Sequence, residues 1–134
     1  MCIRDSHRIK TMRAELEADR VLHWVGPYES HQMPARLAAI DWVMVPSIWW
    51  ENSPMVIQEA FAYGRPVIAS DIGGMAEKVT NGVNGRSVSM GNPFAWAQTM
   101  LDLAADPTEW DRLQAGIRRP LSHADCATAH LTRL

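Results

Sequence analysis

A chain of 134 residues has the length of about one domain, and 47% apolar with 21% charged residues is the composition of a globular protein with a sizeable core. A formal charge of −2 argues against binding nucleic acid or a membrane surface through charge alone, and no apolar run approaches the roughly 18 residues of a membrane span. Cys2 and Cys126 make no disulfide framework and the N-terminus has no secretory pattern, which points to a reducing, cytoplasmic setting.

Met1-Cys2-Ile3-Arg4-Asp5-Ser6 reads like the translation of a transposon end used in sequencing libraries. We set residues 1–6 aside as an adapter scar, with the expectation that the natural protein continues upstream and that this chain is a fragment. Ile9 to Asp19 then reads as a short helix. Val21 to Val25 is a strand ended by Gly26-Pro27. Met33 to Ile40 has helical spacing, with Leu37 and Ile40 on one face. Trp42 to Val45 is a continuous apolar run closed by Pro46, the pattern of a buried strand.

Pro54 to Tyr63 reads as a helix ended by Gly64, and Pro66 to Ala69 as a third strand. A loop, Asp71 to Gly74, leads into a short helix from Met75 to Val79. Asn81-Gly82-Val83-Asn84-Gly85 is a turn with two positions suited to positive φ, before a strand from Arg86 to Ser89. Asn92 caps a helix with Pro93 at its first position, running to Ala105. Asp106 and Pro107 start another, to about Arg118. Residues 121–134 form a tail with helical pattern from Ala124 to Leu134. Alternating strands and helices predict an α/β domain over residues 7–120, built on a partial doubly wound parallel sheet. Ligands in such sheets bind beyond the carboxyl ends of the strands, here the loops at Gly26 to Tyr28, Pro46 to Ser53 and Ser70 to Gly74.

These loops hold the residues that carry chemistry. Pro54 suits the first helical position and Ser53 or Asn52 the cap, so the first-turn N–H groups offer a seat for a phosphate. Glu59 sits among Val56, Ile57, Ala60 and Phe61, and a buried carboxylate needs a partner: Arg65 or Lys78 within the chain, or vicinal sugar hydroxyls from a ligand. Glu51 precedes the helix and lies in the cleft. It is flanked by Trp49 and Trp50, an aromatic wall that suits a sugar's C–H faces or serves as plain packing. Gly73 and Gly74 follow a strand and let backbone approach a ligand closely. Asp71 could cap that turn, and Glu77 stands in the first turn of the next helix. The histidines have no metal-ligand spacing, and Cys126 reads as a bystander.

At these residues the chain resembles the C-terminal domain of GT-B glycosyltransferases, most closely the retaining family 4. The resemblance rests on Pro46-Ser47 followed by an aromatic residue and Glu51, on Glu51-x7-Glu59, and on Glu59-Ala60-Phe61-Ala62-x-Gly64-x-Pro66-Val67-Ile68-Ala69. Ser70-Asp71-Ile72-Gly73-Gly74-x-x-Glu77 and Asn81-Gly82-x-Asn84-Gly85 follow the same pattern. It runs from about Val21 to Val88 and more weakly to Pro120.

The resemblance implies the Rossmann-like C-terminal half of a GT-B fold, truncated at its N-terminal side. It implies a hexosyltransferase that transfers a sugar from a nucleotide diphosphate sugar to an acceptor with retention, with no cofactor and no bound metal. Glu51 becomes the catalytic residue, against the donor sugar. The backbone from Asn52 and Ser53 through Pro54, Met55 and Val56 touches sugar and diphosphate, and Glu59 accepts from the ribose hydroxyls. The partners expected are the donor, an acceptor the sequence does not identify, and an N-terminal domain absent from this chain, through which the protein could sit at a membrane periphery. The basic residues that neutralise the diphosphate have no clear match; Lys10 and Arg13 stand upstream as chance neighbours. A fragment of this kind is expected to show no turnover alone. A non-catalytic nucleotide- or sugar-binding module and a GT-B sugar-nucleotide epimerase are the alternatives.

Overall fold

The computed structural model describes residues 6–18, 22–23 and 25–132. The chain divides into two units, residues 1–32 and 33–134. In the first, helix α1 spans Ser6–Ala18, and Arg13 Nε pairs with Glu17 Oε1 at 3.1 Å, one turn along the same helix. The strand expected at 21–25 lies partly outside the described residues; Leu22, His23 and Val25 form no strand. Of the adapter scar expected at residues 1–6, residues 1–5 also lie outside them, and Ser6 is helical.

The first unit ends in a 3-10 turn, Ser30–Gln32, and the second starts with helix α2, Met33–Ala38. It then alternates β1 (Val43–Val45), α3 (Met55–Ala62), β2 (Val67–Ser70), α4 (Gly73–Lys78) and β3 (Gly85–Val88). Three helices follow: α5 (Pro93–Ala105), α6 (Pro107–Ala115) and α7 (His123–Leu131). The sheet runs β1-β2-β3, all parallel, with Val43 opposite Val67 and Val67 opposite Gly85.

Side-chain alternation sends the strands into two cores. Val43, Val45, Val67 and Ala69 pack with Ile57, Ala60 and Phe61 of α3 and with Met75 and Val79 at α4. Ile68 and Val88 pack on the opposite face with Trp96 and Leu103 of α5 and Leu113 of α6. Helices therefore cover both faces, which is the doubly wound α/β arrangement expected. β2 is buried at all four positions because it has a neighbour on each side.

Several boundaries differ from expectation for physical reasons. Ile40 is 41% exposed, because α2 ends at Ala38, before the turn that would have placed it beside Leu37. Met44 is 43% exposed, so β1 is buried on one face rather than two. In the turn before β3, Gly82 takes φ +74, but Gly85 is already in the strand. Gly85 is glycine because a Cβ there would stand 2.0 Å from the Val67 carbonyl oxygen. Asn84 fastens this turn, accepting from Thr80 N at 2.8 Å and donating to the Lys78 carbonyl at 3.2 Å.

Candidate active site

The carboxyl ends of β1 and β2 open into the loops 46–54 and 71–72, from which α3 and α4 start. These two loops are joined. The Gly74 N–H donates to the Glu51 carbonyl at 2.7 Å. A Cβ on Gly74 would stand 1.9 Å from Asn52 O, and one on Gly73 would stand 2.9 Å from Glu51 O. The paired glycines thus admit the chain's own backbone, the Glu51–Asn52 peptide. Gly73 also takes φ +54, the left-handed region that favours glycine.

Neither helix start carries a side-chain cap. Pro54 occupies the cap position of α3, one residue earlier in the helix than its expected role, and Met55 is first. Ser53, expected as a cap, instead accepts from Gln58 Nε2 at 3.0 Å through its hydroxyl. Ile72 takes the cap position of α4, which begins at Gly73 rather than Met75, so Asp71 does not cap it and Glu77 falls beyond its first turn. By contrast α5, α6 and α7 are capped by Asn92, Asp106 and Ser122. The site therefore gathers two helix N-termini whose partial positive charge no side chain meets.

Glu51 is half-buried at this junction, and its carboxylate forms no hydrogen bond or ion pair among the described residues. Glu59 is half-buried rather than fully buried, since α3 presents Met55 and Val56 to solvent (69% and 40% exposed) while Ile57, Ala60 and Phe61 face the core. Neither internal partner expected for it is taken up. Arg65 donates to the Ala38 carbonyl at 3.2 Å and lies over the Trp110 ring at 5.8 Å, and Lys78 makes no ion pair with it.

Glu59 and Met55 instead line a cavity of about 580 Å³ together with Arg119, Ser122 and Asp125. Arg119 is anchored by donating to the Ala62 carbonyl at 3.0 Å. Sequence reading missed this juxtaposition, because 60 positions separate Glu59 from Arg119 and no local pattern links them. Asp125 is held ionised by Ser122, whose hydroxyl and N–H donate to its carboxylate and pull its pKa down.

A second polar hollow, of about 430 Å³, lies away from these loops, lined by Asn81, Arg86, Asp102, Asp106 and Glu109. Glu109 is buried and accepts from Arg86 and, at 2.7 and 2.8 Å, from Arg112. The Arg112 hydrogen bonds, with the charge of Arg86, hold the Glu109 carboxyl below the usual range. Arg86 and Glu109 pair with each other, Asn81 accepts from the Ser87 N–H, Asp102 from Gln98 and Asp106 from Thr108, so the hollow reads as a brace for β3 and α6. Among the described residues no cluster of His, Cys, Asp or Glu could hold a metal ion, and no helix is long and apolar enough to cross a membrane.

A family model described as Glycosyl transferases group 1 matches residues 4–106. Curated relatives include the D-inositol 3-phosphate glycosyltransferase of Salinispora arenicola, 34% identical over 87% of this chain and 25% of its own length. That of Xylanimonas cellulosilytica is 40% identical over 75% of this chain and 24% of its own. The chain thus spans about a quarter of the length of these relatives. Among solved structures, Anabaena Alr3699/HepE in complex with UDP superposes with a TM-score of 0.80 at 22% identity, over 99% of this chain and 39% of that one. Sucrose-phosphate synthase from Thermosynechococcus elongatus gives 0.79 at 26% identity, over 95% and 33%.

Proposed function

The chain belongs to the group 1 glycosyl transferases, with the fold of part of a GT-B enzyme, and on that premise we propose that it is the donor-binding part of a hexosyltransferase. The donor is a nucleotide diphosphate sugar, and transfer proceeds with retention at the anomeric carbon. What carries this reading is the junction at Glu51 and Gly74, which ties the loop carrying Glu51, an acid with no side-chain partner among the described residues, to the starts of α3 and α4, neither of which has a side-chain cap. Anionic phosphates are stabilised by such helix starts, and a carboxylate nearby can accept from sugar hydroxyls.

In this arrangement Glu51 lies against the donor sugar. The backbone of Asn52, Ser53, Pro54, Met55 and Val56, with that of Gly73, receives the sugar and diphosphate, while Gly74, its N–H held by the Glu51 carbonyl, sets the loop that carries them. Glu59 accepts from the ribose hydroxyls, and Arg119 beside it supplies positive charge near the nucleotide. The relatives' names include a glycosyltransferase acting on D-inositol 3-phosphate, and solved neighbours carry UDP and UDP-glucose. A UDP-sugar is accordingly the first donor to test. The acceptor and the closing face of the cleft belong to a further domain, so the 134-residue chain binds donor without turning it over.

Isothermal titration of the chain with UDP and UDP-glucose tests binding. In a longer enzyme carrying this segment, Glu51→Ala should abolish transfer while leaving the fold intact, and the anomeric configuration of the product, read by NMR, should match the donor's. Unchanged transfer in Glu51→Ala, or an inverted product, would sink the mechanism. A sugar epimer formed without acceptor would replace transfer by epimerisation.

A further inference from the structure

The two tryptophans beside the loop acid are almost equally exposed, Trp49 at 75% and Trp50 at 73%, yet they are placed differently. The Trp49 N–H donates to Ser47 Oγ at 3.2 Å, a bond within the loop's own first turn. The Trp50 indole reaches across to the other loop. A Cβ on Gly73 would stand 3.3 Å from both Cδ1 and Nε1 of Trp50, so the ring edge lies against bare backbone at the start of α4. The rest of the ring stays open, beside Glu51 and the uncapped helix starts.

We propose that Trp50, and not Trp49, is the wall of the donor site that contacts the hexosyl group, a role that rests on the donor-binding reading above. A hexose offers an apolar C–H face and a rim of hydroxyls. An indole offers an apolar plate with one N–H donor at its edge. Seated on Gly73, the plate is held at a fixed height above the backbone that receives the diphosphate. A sugar attached to that diphosphate meets the ring rather than water. Excluding water there also strengthens the field of the Glu51 carboxylate on the sugar. Gly73 is then required twice, for its positive φ and because a Cβ would stand 2.9 Å from Glu51 O and crowd the indole edge at 3.3 Å.

The test measures the affinity of the chain and its variants for UDP and for UDP-glucose by isothermal titration, with near-UV circular dichroism and urea midpoints to follow the fold. Trp50→Ala should weaken UDP-glucose roughly tenfold and leave UDP within about twofold, since a contact of this kind amounts to about one such factor. Trp50→Phe should restore most of the loss, and Trp49→Ala should change neither affinity. Equal weakening of both ligands, no change in either, or the same selective loss in Trp49→Ala overturns the assignment. If the wild-type chain binds UDP but gains nothing from the glucose, the sugar wall falls and the nucleotide site stands. If it binds neither, the donor-site reading falls and this one with it.

Discussion

Gly74 and Glu51 are joined backbone to backbone, N–H to carbonyl at 2.7 Å, so the loop after β1 and the start of α4 form one rigid corner. Gly74→Ala would drive a methyl group to 1.9 Å from Asn52 O, where only backbone can yield. We expect a destabilisation of about 2–4 kcal/mol from this overpacking. Gly91→Ala is the control: with φ +69 and nothing within 4 Å, it should cost only about 1 kcal/mol, the backbone term. Urea denaturation of the two variants checks the difference.

The paired glycines also show where sequence reading stops. Their position after a buried strand was legible, but the backbone that fills the space beside Gly74 belongs to a segment more than twenty residues upstream. Local signals served better. Asn92-Pro93 and Asp106-Pro107 each cap a helix where expected, because a cap is decided by a few adjacent residues. Ser53 had the right chemistry for a cap too, yet its hydroxyl went to Gln58. The apolar run at 21–25 read as a strand, but a strand exists only with a partner, and its described residues have none in the sheet. The fold class was thus readable, whereas the contact of Gly74 with the Glu51–Asn52 peptide, the Glu59–Arg119 juxtaposition and the Glu109 cluster depended on long-range packing.

The caps give a second contrast. Asn92→Ala removes the acceptor of the Ala95 N–H at 3.1 Å and should cost about 1 kcal/mol. Ser53→Ala removes an exposed side-chain bond and should stay within about 0.5 kcal/mol. Thermal melts of the two variants test whether Ser53 acts as a cap; equal losses would show that it does.

Glu109 sets an acid limit on stability. Arg112 and Arg86 favour its ionised form, so its pKa in the folded chain lies below the ordinary 4.5. The unfolded chain then binds the proton more tightly. The stabilisation is complete above the ordinary value and is lost as pH falls through the folded one. Glu109→Gln should lower stability at pH 7 by about 1–3 kcal/mol and flatten the decline below pH 4.5. Urea midpoints against pH for both proteins give the comparison; parallel curves would count against the Glu109 cluster as the source.

Leu113 and Phe94 separate buried from displayed apolar area. Leu113 is wholly buried between the sheet and α5, and Leu113→Ala should cost about 2–5 kcal/mol. Phe94 is 85% exposed, and Phe94→Ala should fall within about 0.5 kcal/mol. Denaturant midpoints at constant slope provide the measurement.

Glu59→Gln keeps the shape of the side chain and removes its charge. If Glu59 holds the ribose, the variant should bind UDP several-fold more weakly, a loss of about 1 kcal/mol. Removing both ribose hydroxyls from the ligand should weaken the wild type and leave the variant nearly unaffected. Equal sensitivity of the two proteins in a titration would place the ribose elsewhere.

Met44 sits at the centre of β1, opposite Ile68, between Val43 and Val45, each 8% exposed. The Val43 N–H donates to the Pro66 carbonyl at 3.2 Å, and alternate residues of a parallel strand bond to opposite sides. The Met44 amide therefore faces away from β2, where no described strand receives it. In deuterated water it should exchange at the pace of a loop, while the amides before and after it keep their protons far longer. Within three consecutive residues the chain would then carry a slow, a fast and a slow label, a signature of cohesion that comes to β1 from one side alone.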